Sequence, residues 1–154
     1  MRFLIATDGS HFSKAAIEKC ADLIANTADT EVRVISIYEK LGPMAGEPFG
    51  VSREYYLQAE NASRLIADEA VTTAVDTLHK RFPDMKFAVT SEVDRGRAAR
   101  LIVEAAAEWN ADVIVVGSHG HGFWGRNLMG SVSDAVVHHA PCSVLVVRTD
   151  APEP

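Results

Sequence analysis

An α/β fold, an open parallel sheet doubly wound with helices on both faces, is predicted by three features of the chain. Short β-branched runs alternate with segments of helical apolar spacing, in the order β-α-β-α-β-α-β-α-β. The run Val113-Ile114-Val115-Val116 is apolar without interruption, as suits a strand buried on both sides. Breakers or turn formers close the runs, at Asp8-Gly9-Ser10, Pro83, Gly117 and Pro141. Strands alternating with helices in this way run parallel and are joined by right-handed crossovers.

Phe3-Leu4-Ile5-Ala6 reads as a short buried strand. Ser10 or Ser13 can cap the following helix, in which Ala16, Ile17, Cys20, Leu23 and Ile24 recur at helical spacing. Val32 to Tyr38 is β-branched and forms the second strand. Residues 39–51, with Gly42, Pro43, Gly46, Pro48 and Gly50, form a loop long enough to be mobile or functional. Ser52 opens a long helix to about Arg81, with an apolar stripe of Leu57, Leu65, Ile66, Ala70, Val71, Ala74, Val75 and Leu78. Lys86 to Val93 is the third strand. A helix after Gly96 reaches about Trp109 through Leu101, Ile102, Ala105 and Ala106. The fourth strand, Val113 to Val116, leads through a glycine-rich loop to a helix from about Ser131 to His139. Ser143 to Val147 is the fifth strand.

The chain has 154 residues, 47% hydrophobic and 23% charged, which fits one domain over residues 1–150 with a frayed tail over 151–154. A net charge of -6 argues against a partner held by neutralising nucleic-acid phosphates. It leaves room for a small nucleotide held by backbone N–H groups. Cys20 and Cys142 are far apart and form no metal or redox motif, so both read as small buried side chains. The opening apolar run stops at Thr7-Asp8-Gly9, and no run approaches the ~20 residues of a membrane helix. The expectation is a cytoplasmic protein.

In an open parallel sheet, ligands bind beyond the carboxyl ends of the strands, where the strand order reverses. The residues to read there are Thr7-Asp8-Gly9, Tyr38-Glu39, Asp94-Arg95-Gly96 and Gly117-Ser118-His119-Gly120. The fourth of these opens a loop running to Gly130-Ser131 at a helix start, where unpaired N–H groups and the helix dipole favour an anion. Ser131 can cap that helix, bind a phosphate oxygen, or do each in turn. A Walker loop is excluded because no lysine lies in this segment. A dinucleotide fingerprint is excluded by the glycine spacing and by the lack of an acid about 20 residues on.

Gly117, two residues, Gly120, nine residues, Gly130-Ser131 is the spacing G-2x-G-9x-G-[ST]. On that motif the chain resembles the ATP-binding branch of the universal stress protein family. The likeness extends to Asp8-Gly9-Ser10, Gly96-Arg97-Ala98-Ala99, Ala111 to Gly117 and Ala140 to Val147. Some relatives carry proline where Ala98 stands. The resemblance implies a Rossmann-like, adenine nucleotide alpha hydrolase-like sheet of five strands with the first and fourth adjacent. It implies that Asp8 meets the adenosine half of ATP, that the backbone of Ile37 meets adenine, and that Ala6 and Thr7 lie nearby. Gly117 would lie against the ribose, His119 and Gly120 beside the phosphates, and Gly130, Ser131, Val132 and Ser133 around the phosphate tail. Mg²⁺ or Mn²⁺ would accompany the phosphates, with no metal ligand from protein side chains. Relatives commonly pair through the last strand. The resemblance therefore implies a homodimer through Ser143 to Val147, an apolar edge suited to pairing.

Other readings fit less well. A phosphoacceptor site would need an acidic pair, an acceptor aspartate and a lysine, but Asp8 stands alone and Arg148 follows the last strand, although Asp94 follows the third. His138 and His139 are neighbours on a helix, about 100° apart, so they suit a helix end better than one shared ion. Only His119 of the histidines is placed near a ligand. Phe123 and Trp124 read as loop anchors or subunit contacts, and Arg53, Glu54, Glu60, Arg64, Asp68 and Glu69 as a solvated helix face. Arg126 or Arg95 could neutralise phosphate charge. No positioned nucleophile or general base is evident, so the expected role is a stress-response sensor or switch, with slow ATP hydrolysis or autophosphorylation at Ser131 or Ser133 at most. The alternative is a dimeric interaction scaffold of the same fold that binds no nucleotide.

Overall fold

The computed structural model describes residues 1–25, 29–39, 52–83, 88–120 and 129–149. The loop expected over 39–51 and the tail over 151–154 thus lie outside the described residues, except for Glu39. The elements are β1 (Arg2–Ala6), α1 (His11–Ile24), β2 (Glu31–Tyr38), α2 (Arg53–Arg81), β3 (Ala88–Arg95), α3 (Ala98–Trp109), β4 (Val113–Gly117), α4 (Ser131–His139) and β5 (Ser143–Val147). Local signals set most of the boundaries. Ser10 caps α1 by accepting from the N–H of Ser13, and Ser52 caps α2 by accepting from Tyr55. Asn110 ends α3 in the left-handed conformation that asparagine tolerates.

All five strands are parallel, in the order β3-β2-β1-β4-β5. Ile5 stands opposite Val34 of β2 on one side and Val115 of β4 on the other. The chain therefore winds outward from β1 to β3, then returns to the far side of β1. That reversal opens a crevice where β1 and β4 end, between Asp8 and Gly117.

Alternation along the strands divides the core between two faces. Phe3, Ile5, Val32, Val34 and Val115 pack with Ile17, Cys20, Ile24, Val71 and Leu78 of α1 and α2. Leu4, Ala6, Ile35, Ile114 and Val116 pack with Ile102, Ala106 and Val136 of α3 and α4. Cys20 is fully buried, and burial pushes its thiol up to about 12, so it stays neutral at physiological pH. Cys142 is half-buried, and burial raises its thiol as well. Among the described residues no helix is long and apolar enough to cross a membrane.

Two expectations are corrected. The third strand runs on to Arg95, past the expected end at Val93, because among the described residues it pairs along the whole of β2, from Glu31 opposite Ala88 to Tyr38 opposite Arg95. Ladder bonds come from the backbone, and an edge strand tolerates the polar pair Asp94-Arg95. Residues 86 and 87 lie outside the described residues. The apolar stripe of α2 is also shorter than its composition suggests. Ala67, Ala70, Val71, Ala74 and Leu78 are buried at i, i+3, i+4 spacing, whereas Leu57, Leu65 and Ile66 are 51%, 68% and 56% exposed. Those three fall off the line that faces the sheet.

Candidate functional site

A cleft of about 280 Å³ occupies the switch point, on the face of the sheet that carries α3 and α4. Ala6, Thr7 and Asp8 reach it from the end of β1, and Ile37 from β2. Gly117, His119 and Gly120 line it from the end of β4, and Gly130, Ser131, Val132 and Ser133 from the start of α4. Every residue that the resemblance placed around a nucleotide thus lines one cavity. Ser13, Ile35, Ala98, Ile102 and Val116 complete the lining and were not anticipated. The inward phase of the strands could have pointed to Ile35 and Val116, two residues before Ile37 and one before Gly117. No local pattern marks Ser13.

The β1 side is a tight turn with its polar groups satisfied. Asp8 Oδ1 accepts from the N–H of Ser10 at 3.0 Å, and Gly9 takes a φ of 78° that favours glycine. The buried Thr7 hydroxyl donates to Ser13 Oγ at 3.1 Å and accepts from the N–H of Gly9 at 3.2 Å. Ser13 in turn donates to the carbonyl of Ser10 at 3.0 Å. These bonds couple the cleft floor to the first turn of α1.

The β4 side depends on two close approaches. A Cβ on Gly117 would lie 2.7 Å from the carbonyl carbon of Phe12 and 2.9 Å from the N of Ser13. One on Gly120 would lie 2.5 Å from Asp8 Oδ2. Glycine is therefore required at Gly117 for α1 to cross over β4, and at Gly120 for Asp8 to aim its second oxygen across the crevice. The two ends of the glycine-rich loop are tied together. Gly130 donates its N–H to Ser118 O at 2.8 Å, and the buried Ser133 hydroxyl bonds to Ser118 O at 3.0 Å and to Gly130 O at 2.9 Å. His121, Phe123, Trp124 and Arg126 lie outside the described residues.

Gly130, with φ -63° and ψ 150°, is the N-cap of α4, and no side chain caps the helix. The capping option for Ser131 is thereby corrected: Ser131 is the first helical residue, exposed and on the cleft. The first-turn N–H groups of a helix have no intrahelical acceptor, so this end offers donors and a partial positive charge. Ser133 is engaged with two carbonyls, which leaves Ser131 as the accessible hydroxyl. The His119 ring packs at a tilt against Phe12, with 5.0 Å between centroids, and its Nδ1 lies 3.0 Å from Ser118 Oγ. The aromatic partner Phe12 was missed, because nothing near it in sequence signals the contact.

Charged side chains are sparse in the cleft. Arg95 is committed to Glu60 at 3.1 Å, and Glu60 is only 19% exposed. This corrects both the solvated reading of Glu60 and the free role of Arg95, since pairing of β3 with β2 brings the strand end against α2. Asp94 lies within β3, one residue before its end and two strands away from β1, and does not line the cleft that Asp8 reaches. His138 and His139 sit in the last turn of α4, with Nδ1 atoms 2.8 and 2.9 Å from the carbonyls of Asp134 and Ala135. Among the described residues no three His, Cys, Asp or Glu side chains group as a metal site.

The family model for the universal stress protein family matches residues 1–148. The chain belongs to that family. A universal stress protein of Thermus aquaticus is 34% identical over 149 residues, covering 94% of this chain and 96% of the relative. A universal stress protein family member from Arabidopsis thaliana, solved with AMP bound, superposes with a TM-score of 0.67 at 19% identity. It covers 98% of this chain and 93% of its own. A universal stress protein in complex with cAMP superposes at 0.63 with 21% identity, over 97% of this chain and 98% of its own. The adjacency of the first and fourth strands, implied by the resemblance, is the arrangement this universal stress protein adopts.

Proposed function

We propose that this universal stress protein binds an adenine nucleotide, ATP with Mg²⁺ or Mn²⁺ on its phosphates, in the switch-point cleft, and acts as a cytoplasmic sensor or switch. The supporting observation is that the cleft has two chemically different ends. Ile35, Ile37, Ala98 and Ile102 make an apolar slot suited to a purine. At the other end stand Gly120, Gly130 and the N-terminus of α4, suited to phosphates. Asp8 lines the same cleft, with its Oδ2 beside Gly120, and its carboxylate would meet a ribose hydroxyl. Backbone donors would carry the anion recognition, and the phosphates would carry the divalent ion. Two structural relatives were solved with AMP and cAMP, in keeping with an adenine ligand. In this reading residues 1–150 form a single domain. Ser131, exposed on the cleft at the start of α4, is the preferred acceptor of any phosphoryl group in this reading.

Isothermal titration with ATP and Mg²⁺ tests the reading. The wild-type chain is expected to bind in the micromolar range, and Gly120→Val to weaken binding at least about tenfold, because its side chain meets Asp8 Oδ2. Equal affinity in the variant would move the nucleotide off this loop. Absence of both heat and acid-releasable nucleotide would promote the ligand-free scaffold.

The sheet also ends at β5, which pairs only with β4 among the described residues and carries the half-buried Val144, Leu145 and Val146. An apolar edge of this kind suits a two-fold homodimer. Light scattering at micromolar concentration is expected to give the dimer mass, and a monomer mass refutes it.

A further inference from the structure

The switch-point cleft is poor in charge. Of the side chains that line it among the described residues, Asp8 and His119 alone can be charged, and His119 alone can be positive. Nucleotide phosphates would bring several negative charges there, and backbone N–H groups supply only partial positive ones. The imidazole therefore decides whether the lining offers a full positive charge. Its place is fixed from three sides. Phe12, the second residue of α1, lies against the ring at 5.0 Å between centroids. The buried Ser118 has its Oγ 3.0 Å from Nδ1. A Cβ on Gly130, the N-cap of α4, would lie 3.2 Å from the His119 Cα. The residue thus stands beside the starts of two helices, on the lining where an anion would be held.

The Ser118 contact suits either charge state of the ring. A serine hydroxyl can donate to a bare ring nitrogen or accept from a protonated one, so a proton can be gained without losing that bond. The other charged groups around His119 are few. Asp8 reaches the same cleft from the turn after β1. On α1, His11 stands behind Phe12, with ring centroids 5.9 Å apart and its Nε2 3.3 Å from Thr149 Oγ1. Lys14 lines a separate groove between α1 and α2. On α4, the Asp134 carboxylate lies 3.7 Å from Nδ1 of His138. Arg97 and Arg100, at the start of α3, do not line the cleft, and Arg100 pairs with Glu104 at 3.2 Å.

We infer that His119 selects ligands by phosphate charge and couples their binding to uptake of a proton, an inference that rests on the nucleotide reading of the cleft. Histidine is the side chain whose charge ordinarily changes between about pH 5 and about pH 8. A phosphate anion beside the ring favours the imidazolium form, so the nucleotide complex holds more protons than the empty protein across that window. By linkage, affinity for a nucleoside triphosphate rises as the pH falls and drops as the pH rises. Adenosine brings no phosphate and gains nothing from the charge.

Calorimetric titration with ATP and Mg²⁺ at about pH 5.5 and about pH 8, each in two buffers of different ionisation enthalpy, is the test. The wild type is expected to bind about fivefold more tightly at the lower pH, with net proton uptake. Ionisation of ATP itself is common to every variant, so the comparison between proteins isolates the side chain. His119→Asn keeps a polar group within reach of Ser118 but no charge, and is expected to take up fewer protons and to lose the preference for low pH. His119→Lys is expected to hold the low-pH affinity at both values. His138→Asn, at the far end of α4, is expected to follow the wild type. Adenosine is expected to bind all four proteins without the pH preference. The same pH profile and proton uptake in the wild type and His119→Asn would overturn the proposal and leave the nucleotide site standing. Absence of ATP binding by every protein at both values would overturn the nucleotide reading, and this inference with it.

Discussion

Gly117→Val is expected to destabilise the protein by about 3 kcal/mol or more, lowering its melting temperature by roughly 2–4 °C for each kcal/mol. The obstacle is backbone. A side chain at residue 117 meets the carbonyl carbon and oxygen of Phe12 at 2.7 and 2.9 Å and the N of Ser13 at 2.9 Å. None of these atoms can rotate aside, so the first turn of α1 must lift off β4. That turn carries Ser13, which bonds the buried Thr7 hydroxyl at the cleft floor, and the displacement would spread into the site. Gly120→Val makes the instructive contrast. Its obstacle is the end of the Asp8 side chain, which can turn away, so the fold should survive while the proposed nucleotide binding weakens. A Gly117→Val protein that melts within about 2 °C of the wild type would show that the approach of α1 to β4 is not tight.

Phe3→Ala should cost about 3–5 kcal/mol, the range for deleting a buried aromatic ring. Phe3 lies on the central strand, 2% exposed, in the cluster that joins the sheet to α1 and α2. Neighbours on both sides are β-strands held in register, so the space left by the ring cannot easily collapse. Urea unfolding is expected to show a lower midpoint with an unchanged slope. Leu65→Ala on α2 supplies the comparison, since Leu65 is 68% exposed and its loss should change stability by no more than about 0.5 kcal/mol. Similar midpoints for the two variants would contradict the assignment of the core.

Much of the site was legible because its residues stand at strand ends and helix starts, where local patterns are strongest. Asp8-Gly9-Ser10 is a turn in any reading, and the glycine spacing from Gly117 to Gly130 is visible without coordinates. The role of Ser131 was not legible. Serine is a common N-cap, and only the dihedral angles reveal that Gly130 takes the cap and Ser131 the first helical position. Leu57, Leu65 and Ile66 were misread for a related reason: helical spacing identifies a stripe, but the line that faces the sheet depends on how the helix is seated.

By itself, then, the sequence determined the alternation of strand and helix, most element limits and the loop positions that meet at the switch point. These follow from periodicity, caps and breakers, which act over a few residues. Only the tertiary structure decided that Phe12 lies against Gly117 and packs on His119, and that Arg95 pairs with Glu60. Each joins segments far apart in the chain, and each depends on which strands are neighbours. Strand order is set by packing two helices on each face of one twisted sheet, a global condition that no local window of sequence expresses.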